Sequence, residues 1–257
     1  GFAMTNAPDS IASSADTACV SGHFDPSPSV TVVYEDAHLL VLDKPSGLLA
    51  VPGRGPDRAD CLSARAQQRW PGALIVHRLD QATSGLIVLA RGIDVQRRLS
   101  AAFAERRVHK RYEALVHGQM VLPAVPDGDA TQATSPDIAN DDDRASDWAL
   151  IDLPLIVDWP RRPRSKVDPL LGKPSRTRWR PLAYDAATHT TRVALEPITG
   201  RSHQLRVHLL AQGHPIVGDA LYDAPDQAPR LMLHACTLAL RHPVTDAPLR
   251  FASAVPF

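Results

Sequence analysis

Short apolar runs alternate with turn residues along most of the chain, and their periods fall into two kinds. Val30-Thr31-Val32-Val33-Tyr34 and Leu39-Leu40-Val41-Leu42, split by the turn-prone Glu35-Asp36-Ala37-His38, read as two short strands. Ala73–Val76, Gly85–Ala90, Lys110–His117 and Arg192–Glu196 add further strands, and Leu231–Leu233 with Leu238–Leu240 suggest closing ones. Elsewhere the apolar spacing lengthens to steps of four. Leu62, Ala66 and Trp70 place a helix capped by Asp60 and stopped before Pro71-Gly72. Val95, Leu99 and Phe103 place a second, capped by Asp94, with Arg106-Arg107 in its last turn to complement the helix dipole. Leu205 and Leu209 place a third, capped by Ser202 and ended by Gly213. Strands outnumber helices and are often spaced as hairpins. The pattern therefore predicts an α+β fold, a single domain with a mostly antiparallel mixed β-sheet flanked by helices and loops.

Two stretches lack this patterning. Residues 1–29 are rich in Ala, Ser, Asp and Pro and read as a mobile tail, in which Gly1-Phe2-Ala3 ahead of Met4 looks like a cloning scar. Residues 119–147 hold seven Asp and one Arg without an apolar stripe, and read as an exposed, disordered acidic insertion. The folded domain is expected over residues 30–257.

With 44% hydrophobic and 22% charged residues in 257, the composition is that of a soluble globular protein. No stretch approaches the roughly 18 apolar residues of a membrane span. Three cysteines without paired spacing support neither a disulfide framework nor a zinc knuckle, and point to a reducing cytoplasm. The 28 basic and 28 acidic residues cancel only on average. Net charge runs −5, +6, −8, +8 and −1 over residues 1–60, 61–118, 119–160, 161–215 and 216–257. Two basic blocks around an acidic one can build a positive cleft, so a nucleic-acid partner stays in play. Of the basic residues 24 are Arg, whose planar fork suits phosphate contacts and base stacking.

Phosphate-binding glycine loops, a dinucleotide fingerprint, a nucleophile elbow and His-Glu-x-x-His are all missing from the sequence, and His203 and His208 are off the one-face spacing of a helix. No metal site and no cofactor are expected. The informative stretch is His77-Arg78-Leu79-Asp80-Gln81-Ala82-Thr83-Ser84-Gly85-Leu86, where an Arg and an Asp leave one apolar strand, pass a turn and enter another. Taken alone, an Arg-Asp pair that closes a turn is the ordinary reading. Its company changes the weight: Lys110-Arg111-Tyr112 puts a Tyr on the strand face of Lys110. Gly200-Arg201-Ser202-His203-Gln204-Leu205-Arg206 crowds donors onto a helix start.

His77–Leu86 resembles the signature of the RluA-type pseudouridine synthases, in which the Asp of His-Arg-Leu-Asp is catalytic. The likeness continues through Val41–Gly47, Lys110-Arg111-Tyr112 and Gly200–Asp219. Asp158–Pro163 followed by Gly172-Lys173-Pro174 further resembles the member that modifies both large-subunit rRNA and the anticodon arm of tRNA. The stretch ahead of Val30 is expected to be too short and too poor in Lys and Arg for the S4-like domain of many relatives. The resemblance implies the pseudouridine synthase fold. It also implies an RNA substrate and a reaction that detaches uracil, turns it and rejoins it through carbon 5 without a cofactor. It makes Asp80 the initiating carboxylate, kept ionised by Arg206 against the desolvation that a flipped base would impose. Tyr112 would stack on the uracil and is a candidate to move a proton, and Arg78 would hold or replace the displaced nucleotide. Arg201, His203, Gln204 and His208 are candidates for RNA phosphate at a helix start, although core packing explains His208 as well; Lys110 is a candidate for RNA contact, and Leu231 and Leu233 for apolar walls. A monomer is expected. The alternatives are a non-catalytic RNA-binding or ribosome-assembly factor on the same scaffold, and a glycoside hydrolase, which lacks a second placed carboxylate.

Overall fold

A computed structural model describes residues 30–124, 147–222 and 228–257. The expected tail, 1–29, and most of the expected acidic insertion, 125–146, lie outside the described residues. At the near end of that insertion one side chain reaches the core, while Val121 beside it is 66% exposed. Met120 is buried, and its N–H donates to Thr191 Oγ1 at 3.0 Å.

The sequence folds as β1 (Thr31–Glu35), β2 (Leu39–Lys44), α1 (Leu62–Arg69), β3 (Ala73–Ile75), β4 (Ser84–Arg91), α2 (Ile93–Ala104) and β5 (His109–His117). After these come β6 (Ala149–Asp152), β7 (Leu155–Val157), β8 (Ser165–Val167), β9 (Arg176–Asp185), β10 (Thr190–Pro197), α3 (Gln204–Ala211), β11 (Leu233–Arg241) and β12 (Pro248–Ala252). One sheet runs β1-β2-β4-β11-β5-β10-β9-β6, with β3 on β4 and β12 on β11, while β7 and β8 form a separate hairpin. Among the described residues every pairing in this sheet is antiparallel except β4 with β11. That seam is short, registering only His234 with Ser84 and Ala235 with Gly85. Gly85 sits at φ +121°, and a Cβ there would strike the Ala235 backbone, so the close approach requires glycine.

Each helix covers a different stretch of sheet. α1 brings Leu62 and Ala66 onto Leu40, Leu42, Ile87 and Leu89, and α2 brings Val95 and Leu99 onto Leu39, Val41, Val88 and Leu238. α3 lays Leu205 and Leu209 on Ala114, Val116, Val193 and Leu195. Leu39–Leu42 are all buried because β2 has helices on both of its faces, which explains a continuous apolar run in place of strict alternation.

The ends of the helices differ from expectation. Cys61 caps α1 by accepting from Ala64 N–H, while Asp60 pairs with Arg65 at 2.7 Å. Gly92 precedes α2, so Asp94 lies inside its first turn and Arg106-Arg107 fall beyond its last residue, Ala104. α3 starts after His203 (φ 55°) and not after Ser202. The two expected closing strands are one, β11, with Leu231 just ahead of it.

Candidate active site

The turn that carries Asp80 is built by the strands and loop around it. On one edge β4 pairs with β11 at Ser84-Gly85 and with β3 from Leu89 to Arg91, leaving Val88 N–H between them. His77 fills the gap, its Nε2 accepting from Val88 N–H at 2.9 Å, and burial pushes its pKa down to about 3, so the ring stays neutral. Leu79 is buried in the α1 core, and Thr83 N–H closes the turn on the Asp80 carbonyl at 3.1 Å. Between these anchors Asp80 projects with its side chain 30% exposed.

Lys44–Leu48 grips the same turn from below. Gly47 N–H donates to the Gln81 carbonyl at 2.7 Å, Ser46 Oγ to the Ala82 carbonyl at 2.7 Å, and Gln81 Nε2 back to the Gly47 carbonyl at 3.0 Å. Lys44, fully buried, donates from Nζ to the carbonyls of Pro45, Leu48 and Gln81 at 2.9, 2.6 and 3.1 Å. Burial lowers its pKa to about 7, against the pull of the Asp80 charge.

Above the turn opens a cleft of about 1480 Å³ lined by Asp80, Tyr112, Arg206, Leu231 and Leu233 together with Arg78, Lys110, Arg201 and His203. Tyr112, on β5 opposite Ala235, shows a half-buried ring to it. Burial, and after it the Asp80 charge, push the phenol pKa up, so Tyr112 enters as a neutral hydroxyl. Arg206 Nη1 lies 3.4 Å from Asp80 Oδ2, yet its firmer partner is Asp219, met by Nε at 2.9 Å and Nη2 at 2.6 Å. The Arg206 and Asp219 side chains are 5% and 0% exposed, so the bidentate pair fixes the guanidinium and leaves one nitrogen for Asp80.

His203 Nδ1 contacts Tyr222 Oη at 2.6 Å, and Tyr222 Oη accepts from Ser165 N–H at 2.8 Å. That contact on Nδ1 leaves the other ring nitrogen, Nε2, 3.9 Å from Asp80 Oδ1. Burial lowers the His203 pKa, with the Asp80 charge opposing. Arg78 is exposed and has no ion pair or hydrogen bond among the described residues. Lys110 Nζ lies 5.9 Å from the Phe103 ring, and burial lowers its pKa. Arg201 is exposed and donates to the Pro174 carbonyl at 3.3 Å.

Gln204 departs from its expected role. Its Oε1 accepts from Thr199 Oγ1 and Arg201 N–H, and its Nε2 donates to the Arg176 carbonyl and Thr177 Oγ1. With its amide spent inside the protein, Gln204 ties α3 to β9 and has no donor left for RNA. Lys44, Asp219 and Tyr222 are the structural partners that sequence reasoning did not single out. Asp219 closes the stretch Gly200–Asp219 that carries the resemblance, but its buried carboxylate shows only once Arg206 is placed against it.

A family model described as RNA pseudouridylate synthase matches residues 38–211. The dual-specificity RNA pseudouridine synthase RluA of Escherichia coli K12 is 44% identical over 233 residues, covering 90% of this chain and 95% of its own. The enzyme of the same name from Yersinia pestis is 44% identical over 88% of this chain and 99% of its own. The solved structure of human RNA pseudouridylate synthase domain containing 1 superposes with a TM-score of 0.67 at 27% identity, over 91% of this chain and 87% of that one. With the Asp80 turn, the phenol of Tyr112 and the twice-anchored Arg206 around one cleft, these likenesses show that the chain belongs to the RNA pseudouridylate synthase family, as an enzyme of the RluA type.

Proposed function

We propose that this synthase isomerises specific uridines in both large-subunit rRNA and the anticodon arm of tRNA, acting as a cytoplasmic monomer through its 30–257 domain. The observation that carries the chemistry is the Asp80 carboxylate, partly exposed in the cleft and 3.4 Å from a guanidinium that is itself fixed by Asp219. Asp80 initiates cleavage of the N1–C1′ bond of an everted uridine. The freed uracil turns against Leu231, Leu233 and the Tyr112 ring, C5 bonds to C1′, and the proton lost from C5 is balanced by one gained at N1. Atoms and oxidation state are conserved. Arg206 balances the charge of Asp80 as the base displaces water, and Arg78, exposed and unpaired among the described residues, meets the displaced strand.

The dual substrate rests on the dual specificity named for the relatives and on the β7–β8 arm. There Trp159 is 68% exposed under Arg162, 4.5 Å from its ring, and Pro163 lines the cleft. An aromatic face beside Arg161, Arg162 and Arg164 suits an unstacked base next to a phosphate chain. The monomer rests on a cleft built from one chain, and the cytoplasm on the RNA substrate and on Cys61 and Cys236 being free thiols. Among the described residues no helix is long and apolar enough to cross a membrane. A non-catalytic assembly factor would have no need of Asp80, Tyr112 and Arg206 around one cleft.

Tritium release from RNA labelled at uracil carbon 5 tests the chemistry. Wild-type protein releases label and Asp80→Asn does not, while both bind RNA alike; full release by Asp80→Asn refutes the reading. Mapping pseudouridine in rRNA and tRNA from a strain lacking the protein tests the dual substrate, and loss from only one RNA class refutes it.

A further inference from the structure

Arg230 lines the same cleft as Asp80 and takes no part in the chemistry described so far. It is half-buried just ahead of Leu231 and has no carboxylate within ion-pair reach among the described residues. Its guanidinium is nevertheless firmly held. Nε donates to the Leu231 carbonyl at 2.9 Å, and Nη2 to Ser84 Oγ at 2.7 Å and the Leu233 carbonyl at 3.2 Å. Nη1 makes no hydrogen bond among the described residues, which leaves one edge of the fork open.

Behind Arg230 runs a chain of hydrogen bonds that is buried at Ser84 and His234. Ser84 Oγ lies 2.7 Å from His234 Nδ1, His234 Nε2 lies 2.9 Å from Ser253 Oγ, and Ser253 Oγ donates to Asp43 Oδ2 at 2.5 Å. The donors run in one direction. Ser84 accepts from Arg230 and donates to Nδ1, so the His234 proton sits on Nε2 and passes to Ser253, which ends the chain on a carboxylate. Burial lowers the His234 pKa, which keeps that ring neutral and the direction fixed. A carboxylate in direct contact would also have oriented Arg230, but would have cancelled its charge. Here the Ser84 hydroxyl and two backbone carbonyls carry the orientation, while the balancing anion stays at the far end of the chain.

A cation that is aimed but, among the described residues, not neutralised is built to receive an anion, and the anion a polynucleotide brings into this cleft is its phosphodiester. We propose that Arg230 anchors a backbone phosphodiester next to the everted nucleotide, and that Ser84, His234, Ser253 and Asp43 are the positioning residues that aim it. The choice of ligand rests on the RNA reading above.

The test uses an anticodon-arm hairpin RNA, with pseudouridine formation read for turnover and fluorescence anisotropy across a KCl series for binding. Arg230→Gln raises KM about tenfold with kcat little changed, and makes log Kd less steep in log salt by about one unit. Ser253→Ala raises KM while keeping the wild-type salt slope, because the charge stays and only its aim is lost. A neutral methylphosphonate, placed in turn on either side of the target uridine, weakens wild-type binding at one position and costs Arg230→Gln nothing further there. An unchanged salt slope in Arg230→Gln, equal methylphosphonate penalties in both proteins, or no penalty at either position in the wild type overturns the anchor. The last arm needs no variant, so a misfolded Arg230→Gln does not shelter the idea. Wild-type KM in Ser253→Ala overturns the positioning chain. If the wild type binds the hairpin without forming pseudouridine, it is the synthase reading that fails, and the anisotropy arms still decide on Arg230.

Discussion

Removing the Arg206 guanidinium should damage the fold before it damages the chemistry. In Arg206→Met, the Asp219 carboxylate keeps, among the described residues, only the Leu221 N–H at 3.2 Å and stays at 0% side-chain exposure with its counter-ion gone. Breaking a buried pair from one side costs about 3 to 5 kcal/mol, chiefly because the surviving charge is uncompensated. At about 2 to 4 °C per kcal/mol for a chain near this size, the melting temperature falls by about 6 to 20 °C. Neutralising the survivor separates the two effects. Arg206→Met with Asp219→Asn regains roughly 2 to 3 kcal/mol, yet stays inactive because Asp80 still lacks its cation. Calorimetric melts of the wild type, both single variants and the double variant, with tritium release on each, form the assay. A melt of Arg206→Met within 2 °C of wild type, on the same scale of degrees per kcal/mol, would refute the reasoning. So would a double variant no more stable than the single one.

Tyr112→Phe keeps the ring against the uracil and loses the hydroxyl, so kcat drops about a hundredfold while RNA affinity holds; single-turnover kinetics check this. Lys44 has a pKa lowered by burial from 10.5 to about 7, so between those values the unfolded chain binds more protons than the folded one and stability rises with pH. Urea unfolding at pH 7 and pH 9.5 should show the rise, and Lys44→Met should flatten it; a fall in the wild type contradicts the burial argument. Trp159→Ala should raise KM for the hairpin about tenfold through lost base stacking and leave the melting temperature unchanged. Equal KM values would remove the β7–β8 arm from the RNA surface.

The fold class was legible because buried strands and amphipathic helices differ in period, and Leu39–Leu42 against Val95, Leu99 and Phe103 display that difference directly. β9 was legible in principle, since Thr177 and Trp179 are buried between Arg176, Arg178 and Arg180. Its arginines were counted as charge and not as one face of an alternation. Helix ends were misplaced where the cap came from a residue that offers weak local signal: a Cys thiol at α1, a glycine at α2 and a left-handed His203 at α3. Asp80, Tyr112 and Arg206 could be named from the motifs that contain them. Their supports could not, because the grip of Lys44 on Gln81 and of Asp219 on Arg206 joins residues 37 and 13 positions apart.

The lone parallel seam between β4 and β11 decides when the molecule acquires its chemistry. The carboxylate leads into β4 on one side of that junction, whereas the phenol and the guanidinium belong to the strands and helix on the other. A nascent or partly melted chain with one side formed therefore holds an acid without its cation, or a cation without its acid. Bond cleavage in RNA becomes available only after two residues of backbone have zipped together, with no side chain on Gly85 to keep them apart.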